Sequence, residues 1–336
     1  MELKDEIEQV VIYPPNRPLE REFTPSTEPV LYQYLFFIDV NKRGQFLVGC
    51  SNITGSYWEG TLFFYKDGLS AIEHNYSNYF ISNSSIADGK FFTDNMLLVV
   101  EDSGGLRLLK VPNNPNSPLK CEALLNTVDG IEKIAVWKDS NNVISCSDNS
   151  IHLWTINDDL LTNPVKEFRN YHTEPVTDIA TKVDDEGLFA SVSMDRKAVL
   201  WDIRQPITPA SVLYANEFGS LTAIAWNESN SNYMAVGSEG GDIYMLDIRQ
   251  PKDYVNVAHG FECKVHHLKF NDGSYLAAAG DSPGFLVLES DDDKLTPIYR
   301  NRVHKGFVRG FSWHNKFLYS CGFDGKVLKH NVFDSF

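Results

Sequence analysis

The residues with the clearest chemical potential are His172, Asp195 and a serine at position 191 or 193. A histidine held by an aspartate and set beside a serine is the arrangement that serine hydrolases use for nucleophilic catalysis. The same residues, together with the following Trp201, also suit a buried hydrogen-bond network that fixes a turn. The two interpretations differ in whether the set occurs once, as an enzyme site does, or recurs along the chain.

The set does recur, with members exchanged or missing. A later copy has His304 and Asp324 but places His330 where the first copy has tryptophan, and an earlier copy has Asp148 and Trp154 with no evident histidine. Packing tolerates such variation, whereas one shared catalytic site does not. The arrangement resembles the buried network of WD-repeat proteins, so we interpret all three sets as structural. P-loop, dinucleotide and nucleophile-elbow motifs are absent from the sequence, and we expect a protein that is not an enzyme and needs no cofactor.

Metal binding is not favoured either. His259, His266 and His267 form the densest group of histidines, but adjacent residues of a regular strand point to opposite faces and cannot hold one ion together. The five cysteines have neither zinc-ligand spacing nor the even number of a disulfide framework. We therefore predict no metal site and a reducing, intracellular environment.

A repeat in the sequence predicts the strands that position these residues. A short apolar segment after a small-residue turn occurs seven times, at spacings of 42 to 47 residues. A period of this length with strand-like segments and a Trp-Asp signature is typical of four-stranded propeller blades. The sequence thus predicts an all-β, seven-bladed WD-repeat β-propeller. With Trp201 as the reference, the equivalent positions are Tyr65, Leu109, Trp154, Leu246, Leu288 and His330.

The two ends of the chain differ from the repeats. Residues 1–29 are rich in proline and are predicted to form an extended arm, and residues 30–336 the propeller. The last repeat has too few residues after it for an outer strand of its own, and an open ring would expose a strand edge. We predict that part of the arm, either residues 9–13 or residues near Phe23, pairs with the last blade and closes the ring.

Charge narrows the class of partner. The formal net charge of −15 disfavours direct binding to nucleic acid and favours basic, Arg-rich proteins, although solubility alone could account for many of the carboxylates. No segment approaches the length of a transmembrane helix, so we expect no membrane contact.

One loop departs from the repeat. The segment Cys50-Ser-Asn-Ile-Thr-Gly-Ser-Tyr57-Trp58-Glu-Gly60 lengthens a turn of the first repeat and places Trp58 seven residues before the reference position. A tryptophan on such a loop is a candidate interface anchor, with Tyr57 and Ile53 as neighbours. The alternative is that Trp58 packs on its own blade.

Two successive repeats end in the same way, as Trp201-Asp-Ile-Arg204 and Leu246-Asp-Ile-Arg249. Such Asp-x-Arg endings resemble the box by which some propellers dock to the adaptor of a cullin ubiquitin ligase. Arg204 and Arg249 are therefore candidate adaptor-docking residues, and the alternative function is that of a ligase substrate receptor. The arginines could instead pair with carboxylates at the rim of the blade.

The Trp58 loop carries a more specific resemblance. The loop leads into an aromatic strand that ends in Lys-Asp, Thr61-Leu-Phe-Phe-Tyr65-Lys-Asp67. Further on, the chain contains Glu101-Asp-Ser-Gly-Gly105 and His304-Lys-Gly-Phe307-Val-Arg309. In these segments the chain resembles the methylosome WD-repeat (Valois-type) family.

This resemblance implies a non-catalytic scaffold that binds a type II protein arginine methyltransferase through Trp58. It further implies Arg-rich clients such as histones and Sm proteins, a hetero-oligomeric assembly, and a cytoplasmic and nuclear location.

Overall fold

The computed structural model describes residues 27–53, 58–127, 129–138, 140–157, 160–161, 164–205, 208–291 and 294–333. Within them the chain forms seven sheets, each built mainly from consecutive antiparallel strands. The first strand of each sheet packs beside the first strand of the next, and the first strand of the last sheet packs beside that of the first. The sheets are therefore the blades of a ring, and the predicted seven-bladed β-propeller is confirmed.

The first three blades include the irregular elements. Blade 1 contains β1 (Tyr34–Val40), β2 (Phe46–Ser51), β3 (Gly60–Tyr65), the short helix α1 (Gly68–Ile72) and β4 (Asn78–Ser82). Blade 2 contains β5 (Ile86–Phe91), β6 (Met96–Glu101), β7 (Gly105–Lys110) and β9 (Lys120–Asn126), while β8 (Ser117–Pro118) pairs in parallel with β4. Blade 3 contains β10 (Lys133–Val136), β11 (Asn142–Ser147), β12 (Ser150–Asn157) and β14 (Lys166–Phe168), with β13 (Leu160–Leu161) on the end of β12.

The remaining blades are regular. Blade 4 contains β15 (Val176–Thr181), β16 (Leu188–Ser193), β17 (Lys197–Asp202) and β18 (Ser211–Ala215). Blade 5 contains β19 (Leu221–Trp226), β20 (Tyr233–Ser238), β21 (Asp242–Asp247) and β22 (Asn256–His259). Blade 6 contains β23 (Val265–Phe270), β24 (Tyr275–Gly280), β25 (Phe285–Asp291) and β26 (Lys294–Asn301). Blade 7 contains β27 (Val308–His314), β28 (Phe317–Gly322) and β29 (Val327–His330).

The core is divided among the junctions between blades. Seven buried apolar clusters occur in the described residues, one at each junction, because every blade presents apolar side chains on both of its faces. At the junction of blades 7 and 1, Leu35 and Ile38 pack with Tyr319, Cys321 and Val327. Burial of this apolar surface holds the ring shut at the point where the chain begins and ends.

Hydrogen bonds between the inner strands reinforce these junctions. Carboxylates on the first strands of blades 1, 2 and 4 accept a backbone N–H from the next blade, at 2.9 to 3.2 Å. The three pairs are Asp39 with Phe91, Asp88 with Ile134, and Asp178 with Ile224. Because the N–H groups would otherwise be buried and unpaired, each bond fixes the register of one blade against its neighbour.

Blade 7 has three strands among the described residues, as the sequence predicts. The chain enters the ring beside it: Gln33 donates from Nε2 to the backbone oxygen of Phe323 at 3.3 Å, and the ring of Tyr34 contacts that of Phe323. The arm residues expected to complete this blade, 9–13 or those near Phe23, lie outside the described residues. Closure by the arm stays a prediction.

The propeller has two distinct faces. We define the upper face as the one that carries the turns between the second and third strands of each blade, such as 194–196. It also carries the connections between blades, such as 216–220. The lower face is the opposite one, and it carries the turns after the third strands, such as 248–255. The candidate site residues identified from the sequence lie on different faces.

Candidate functional site

The histidine, aspartate, serine and tryptophan of blade 4 form one connected network. His172 lies 2.9 Å from Asp195 through Nδ1 and 2.8 Å from the Oγ atom of Ser191 through Nε2. The indole Nε1 of Trp201 donates to the same Oγ at 2.8 Å. The hydroxyl of Ser193 instead donates to the backbone oxygen of Glu174 and accepts the backbone N–H of Asp195, so it does not bond to His172 or Trp201. The sequence left open which serine takes part, and the structure selects Ser191.

The network is closed to solvent. The side chains of His172 and Asp195 are 1% and 2% exposed, and Ser191 is completely buried. Burial by itself raises the pKa of Asp195, but hydrogen bonds from His172 and from the backbone outweigh it and hold that pKa below its usual value. No substrate reaches such a set, so its role is to join the turn after β16 to the body of the blade.

Blade 7 contains the same network with one substitution. His304 lies 2.9 Å from Asp324 and 2.7 Å from the Oγ atom of Ser320, and His330 lies 2.7 Å from that Oγ. His330 therefore occupies the position that Trp201 has in blade 4. Burial, followed by the nearby His304, lowers the pKa of His330 to about 4, so its ring is neutral at physiological pH.

Blade 3 keeps only half of the arrangement. Trp154 donates from Nε1 to the Oγ atom of Ser145 at 2.8 Å. Asp148 stands in the following turn with a φ of 48°, and its backbone oxygen accepts from the N–H of Val176 at 2.7 Å. Within the described residues its carboxylate joins no histidine, so the network role predicted for Asp148 is not seen. The physical reason is the missing histidine: without its ring, nothing spans from the turn to the serine.

The candidate anchor Trp58 lies on the upper face of blade 1, immediately before β3. It is partly exposed and belongs to none of the buried clusters that the described residues form. Ile53, at the other end of the loop, is also partly exposed, whereas Tyr57 lies outside the described residues. Trp58 and Ile53 therefore flank one loop on one face, away from the apolar cores.

Both ends of this loop are firmly held. The N–H of Asn52 donates to the backbone oxygen of Glu59 at 2.8 Å, and the hydroxyl of Tyr32 donates to the carboxylate of Glu59, also at 2.8 Å. A Cβ atom on Gly60 would lie 2.7 Å from a side-chain carbon of Ile86 in blade 2, so only glycine allows the two blades to approach here. The stems of the loop are thus pre-organised, which lowers the entropic cost of binding through it.

Arg204 and Arg249 lie on the lower face. The turns between the second and third strands of their blades lie at the opposite end, on the upper face. Each guanidinium pairs with the aspartate two residues before it: Arg204 with Asp202 at 2.8 Å and Arg249 with Asp247 at 2.7 Å. Arg204 also reaches Asp185 at 3.2 Å. Both side chains remain more than half exposed, so the pairs stabilise the rim of the blade and still leave surface for a partner.

The histidines considered for metal binding form no common ligand set within the described residues. His259 pairs with Asp242 at 2.6 Å, and its side chain is 81% exposed. The pairing of β23 with β24 shifts register between Val265 and His267, so His266 lies at a β-bulge where the regular-strand argument does not hold. Across the described residues, no group of three or more histidine, cysteine or acidic side chains is placed to hold a metal ion. The same part of the chain has no helix long and apolar enough to span a membrane.

Two features of the upper face were not singled out from the sequence. Phe218, in the connection between blades 4 and 5, is 92% exposed, although Asn216 accepts from its N–H and donates to Gly219. Phe323, in the turn of blade 7, stacks with the guanidinium of Arg309. In both places the sequence offered one signal, an aromatic residue in a polar turn. It does not show which turns lie next to each other in the folded protein.

Comparison with known proteins supports the class that the blades define. The WD domain, G-beta repeat, matches residues 121–155 and 162–202. A chain in a crystal structure of the mitotic checkpoint complex superposes with a TM-score of 0.70 over 98% of both chains, at 15% identity, which concerns the fold alone. The chain is a seven-bladed β-propeller, and two of its repeats match the WD repeat.

Similarity to individual proteins is more specific. The methylosome protein WDR77 of Xenopus laevis is 23% identical over 316 residues, covering 92% of each chain. The protein valois of Drosophila melanogaster is 24% identical over 326 residues, covering 91% of this chain and 88% of its own. The resemblance to methylosome WD-repeat proteins predicted from the Trp58 loop is confirmed.

Proposed function

We propose that this protein is a non-catalytic subunit that binds a type II protein arginine methyltransferase and helps present Arg-rich substrates. The observation that carries the proposal is Trp58, a partly exposed indole on a loop whose stems are fixed, in a chain similar to a methylosome protein over nine-tenths of its length. A large aromatic side chain on a pre-organised loop is suited to act as the central anchor of an interface.

The clients we propose, Arg-rich proteins such as histones and Sm proteins, are those that the resemblance to methylosome proteins implies. A net charge of −15, which attracts basic segments, is compatible with them. We further propose that the functional unit is a hetero-oligomer with the methyltransferase and that it is located in the cytoplasm and the nucleus.

The competing hypothesis is a ubiquitin-ligase receptor that docks through Arg204 and Arg249. It uses the lower face, whereas the methyltransferase hypothesis uses the upper one. In both arginines the guanidinium is held through Nε and Nη2 by the aspartate two residues earlier, which favours a stabilising role. Because the faces are opposite, one pair of variants separates the two functions.

The experiment compares Trp58→Ala with the double variant Arg204→Ala and Arg249→Ala in binding to a purified type II arginine methyltransferase. Since truncation of a central tryptophan typically costs at least about 2 kcal/mol, Trp58→Ala is expected to weaken binding more than about tenfold at an unchanged melting temperature. The double variant is expected to bind almost as the unaltered protein does.

The opposite pattern would replace the proposal. If the double arginine variant lost a cullin adaptor while Trp58→Ala kept every partner, the ligase hypothesis would stand. Methylation of an Arg-rich peptide by the isolated chain would show that the protein is itself an enzyme.

A further inference from the structure

A second group of aromatic residues lies on the upper face, where blade 7 meets blade 1. The rings of Tyr34, Phe36 and Phe307 surround that of Phe323, with centroid distances of 5.1, 5.2 and 6.4 Å. Phe307 is 41% exposed, and the neighbouring Val303 is 61% exposed. We call these aromatic residues, together with Arg309, the blade-7 aromatic cluster. It is an apolar surface that the described chain leaves partly uncovered.

Arg309 gives this cluster a positive charge. Its guanidinium lies 4.5 Å from the ring centre of Phe323 and 5.4 Å from that of Phe307, within the range of cation–π contact. One carboxylate, that of Asp281, pairs with it at 2.9 Å. The Nε atom is buried and has no hydrogen-bond partner among the described residues. Burial lowers the pKa of Arg309 even though Asp281 opposes the shift, so a further anion nearby would be favourable.

More cations stand at the rim of the cluster. The backbone N–H groups of Lys305 and Lys326 both donate to the carboxylate of Asp324, which places the two residues side by side, and both lysines are exposed. Asp324 is committed to His304, and Asp281 to Arg309. This part of a strongly acidic protein therefore presents exposed positive charge around an aromatic centre.

We propose that the blade-7 aromatic cluster and its rim of Lys305 and Lys326 bind an acidic peptide segment of a partner protein, in which carboxylates flank an aromatic residue. The aromatic side chain would pack on Phe307 and Phe323, and the carboxylates would pair with the rim. Charge complementarity of this kind sets the choice and orientation of a partner. Nucleic acid fits less well, because the net charge of −15 repels a phosphate backbone beyond these few cations.

The blade-7 aromatic cluster shares no residues with the proposed Trp58 interface. Its proposed ligand is acidic, whereas the proposed clients are basic and Arg-rich. It does not depend on the methyltransferase. A positive test therefore leaves the function proposed above unaffected, and failure of that function leaves this inference standing.

Fluorescence anisotropy with the full chain tests the proposal. The probe is a fluorescein-labelled peptide, Gly-Glu-Phe-Glu-Phe-Glu-Gly, compared with a peptide that carries lysine for glutamate, one that carries serine for phenylalanine, and an oligouridine RNA. Phe307→Ser removes an exposed part of the cluster, and Lys305→Glu with Lys326→Glu reverses the rim. The matched controls are Phe218→Ser, an exposed phenylalanine elsewhere on the upper face, and Lys42→Glu with Lys252→Glu on the lower face.

The acidic aromatic peptide is expected to bind, and both test variants to weaken it at least about tenfold, while the controls change it less than about twofold. Higher salt is expected to weaken the binding as well, because the rim charges are exposed. Absence of binding, equal loss in test and control variants, or equal binding of the lysine or serine peptide would overturn the proposal. RNA binding that exceeds that of the peptide and depends on the same residues would assign the surface to nucleic acid instead.

Discussion

The Nε2 atom of His330 lies 2.7 Å from the Oγ atom of Ser320, in the place where the Nε1–H of Trp201 meets Ser191 at 2.8 Å in blade 4. Ser320 has a single hydroxyl hydrogen and also lies 2.7 Å from the Nε2 atom of His304. If it donates to His304, it accepts from His330, whose Nε2 then carries the hydrogen just as an indole does. The histidine thus reproduces the donor of tryptophan while adding a group that can be protonated.

This exchange predicts an acid-sensitive blade 7. The folded pKa of His330, about 4, is below its ordinary value of 6.5, so between these values the unfolded state binds the proton and the folded state does not. The contribution of this group to stability is complete above pH 6.5 and is lost as the pH falls toward 4. Between pH 7.5 and pH 5, the free energy of unfolding of the unaltered protein is expected to fall by about 2 kcal/mol more than that of His330→Gln, whose amide can still donate.

The measurement is urea unfolding of both proteins at the two pH values. Other titrating groups remain in both proteins, so the difference between them isolates position 330. Identical losses would contradict the neutral, donor role assigned to His330.

Asp195→Ala is expected to destabilise the fold without abolishing any chemical step. The change leaves the ring of His172 and the backbone N–H groups of Thr173 and Lys197 without their buried acceptor, at a cost of about 1–3 kcal/mol in unfolding free energy. Glu239→Ala, in the exposed equivalent turn of blade 5, is the control and should change stability by less than about 0.5 kcal/mol. Normal stability of Asp195→Ala with loss of partner binding would show that the network is functional.

Gly60→Ala is expected to force blades 1 and 2 apart. The new Cβ atom would lie 2.9 Å from the backbone oxygen of Ser84 and 2.7 Å from a carbon of Ile86, and overpacking of this kind costs about 1–3 kcal/mol. Gly219→Ala is the matched control, because the nearest atom to a Cβ there is 3.9 Å away. Thermal unfolding of both variants measures the difference, and equal melting temperatures would mean that the junction adapts.

Deletion of residues 1–26 tests the closure of blade 7. In the described structure β29 pairs with β28 on one side, and an arm strand on its other side would protect that edge. We expect the truncated protein to melt at a lower temperature and to recover when a peptide of residues 1–26 is added. An unchanged melting temperature would show that the apolar junction of blades 7 and 1 closes the ring without the arm.

Much of this protein is determined by local sequence. The spacing of 42 to 47 residues predicts seven blades, because each strand and tight turn is a local structure that recurs with the repeat. The roles of His172, Asp195 and Trp201 follow from the same period. The Trp58 loop stands out because it breaks that period, so its candidate role as an anchor is also visible in the sequence.

Tertiary structure decided what depends on which segments become neighbours. The choice of Ser191 over Ser193 depends on which hydroxyl meets His172 and Trp201 once the blade has folded. The isolation of Asp148 reflects a missing partner, and the short helix α1 begins where Asp67 accepts the N–H of Ser70, a local cap that the strand pattern conceals. The gathering of Tyr34, Phe307, Phe323 and Arg309 arises only when the first and last blades meet, because residues so far apart in the sequence become neighbours through closure of the ring.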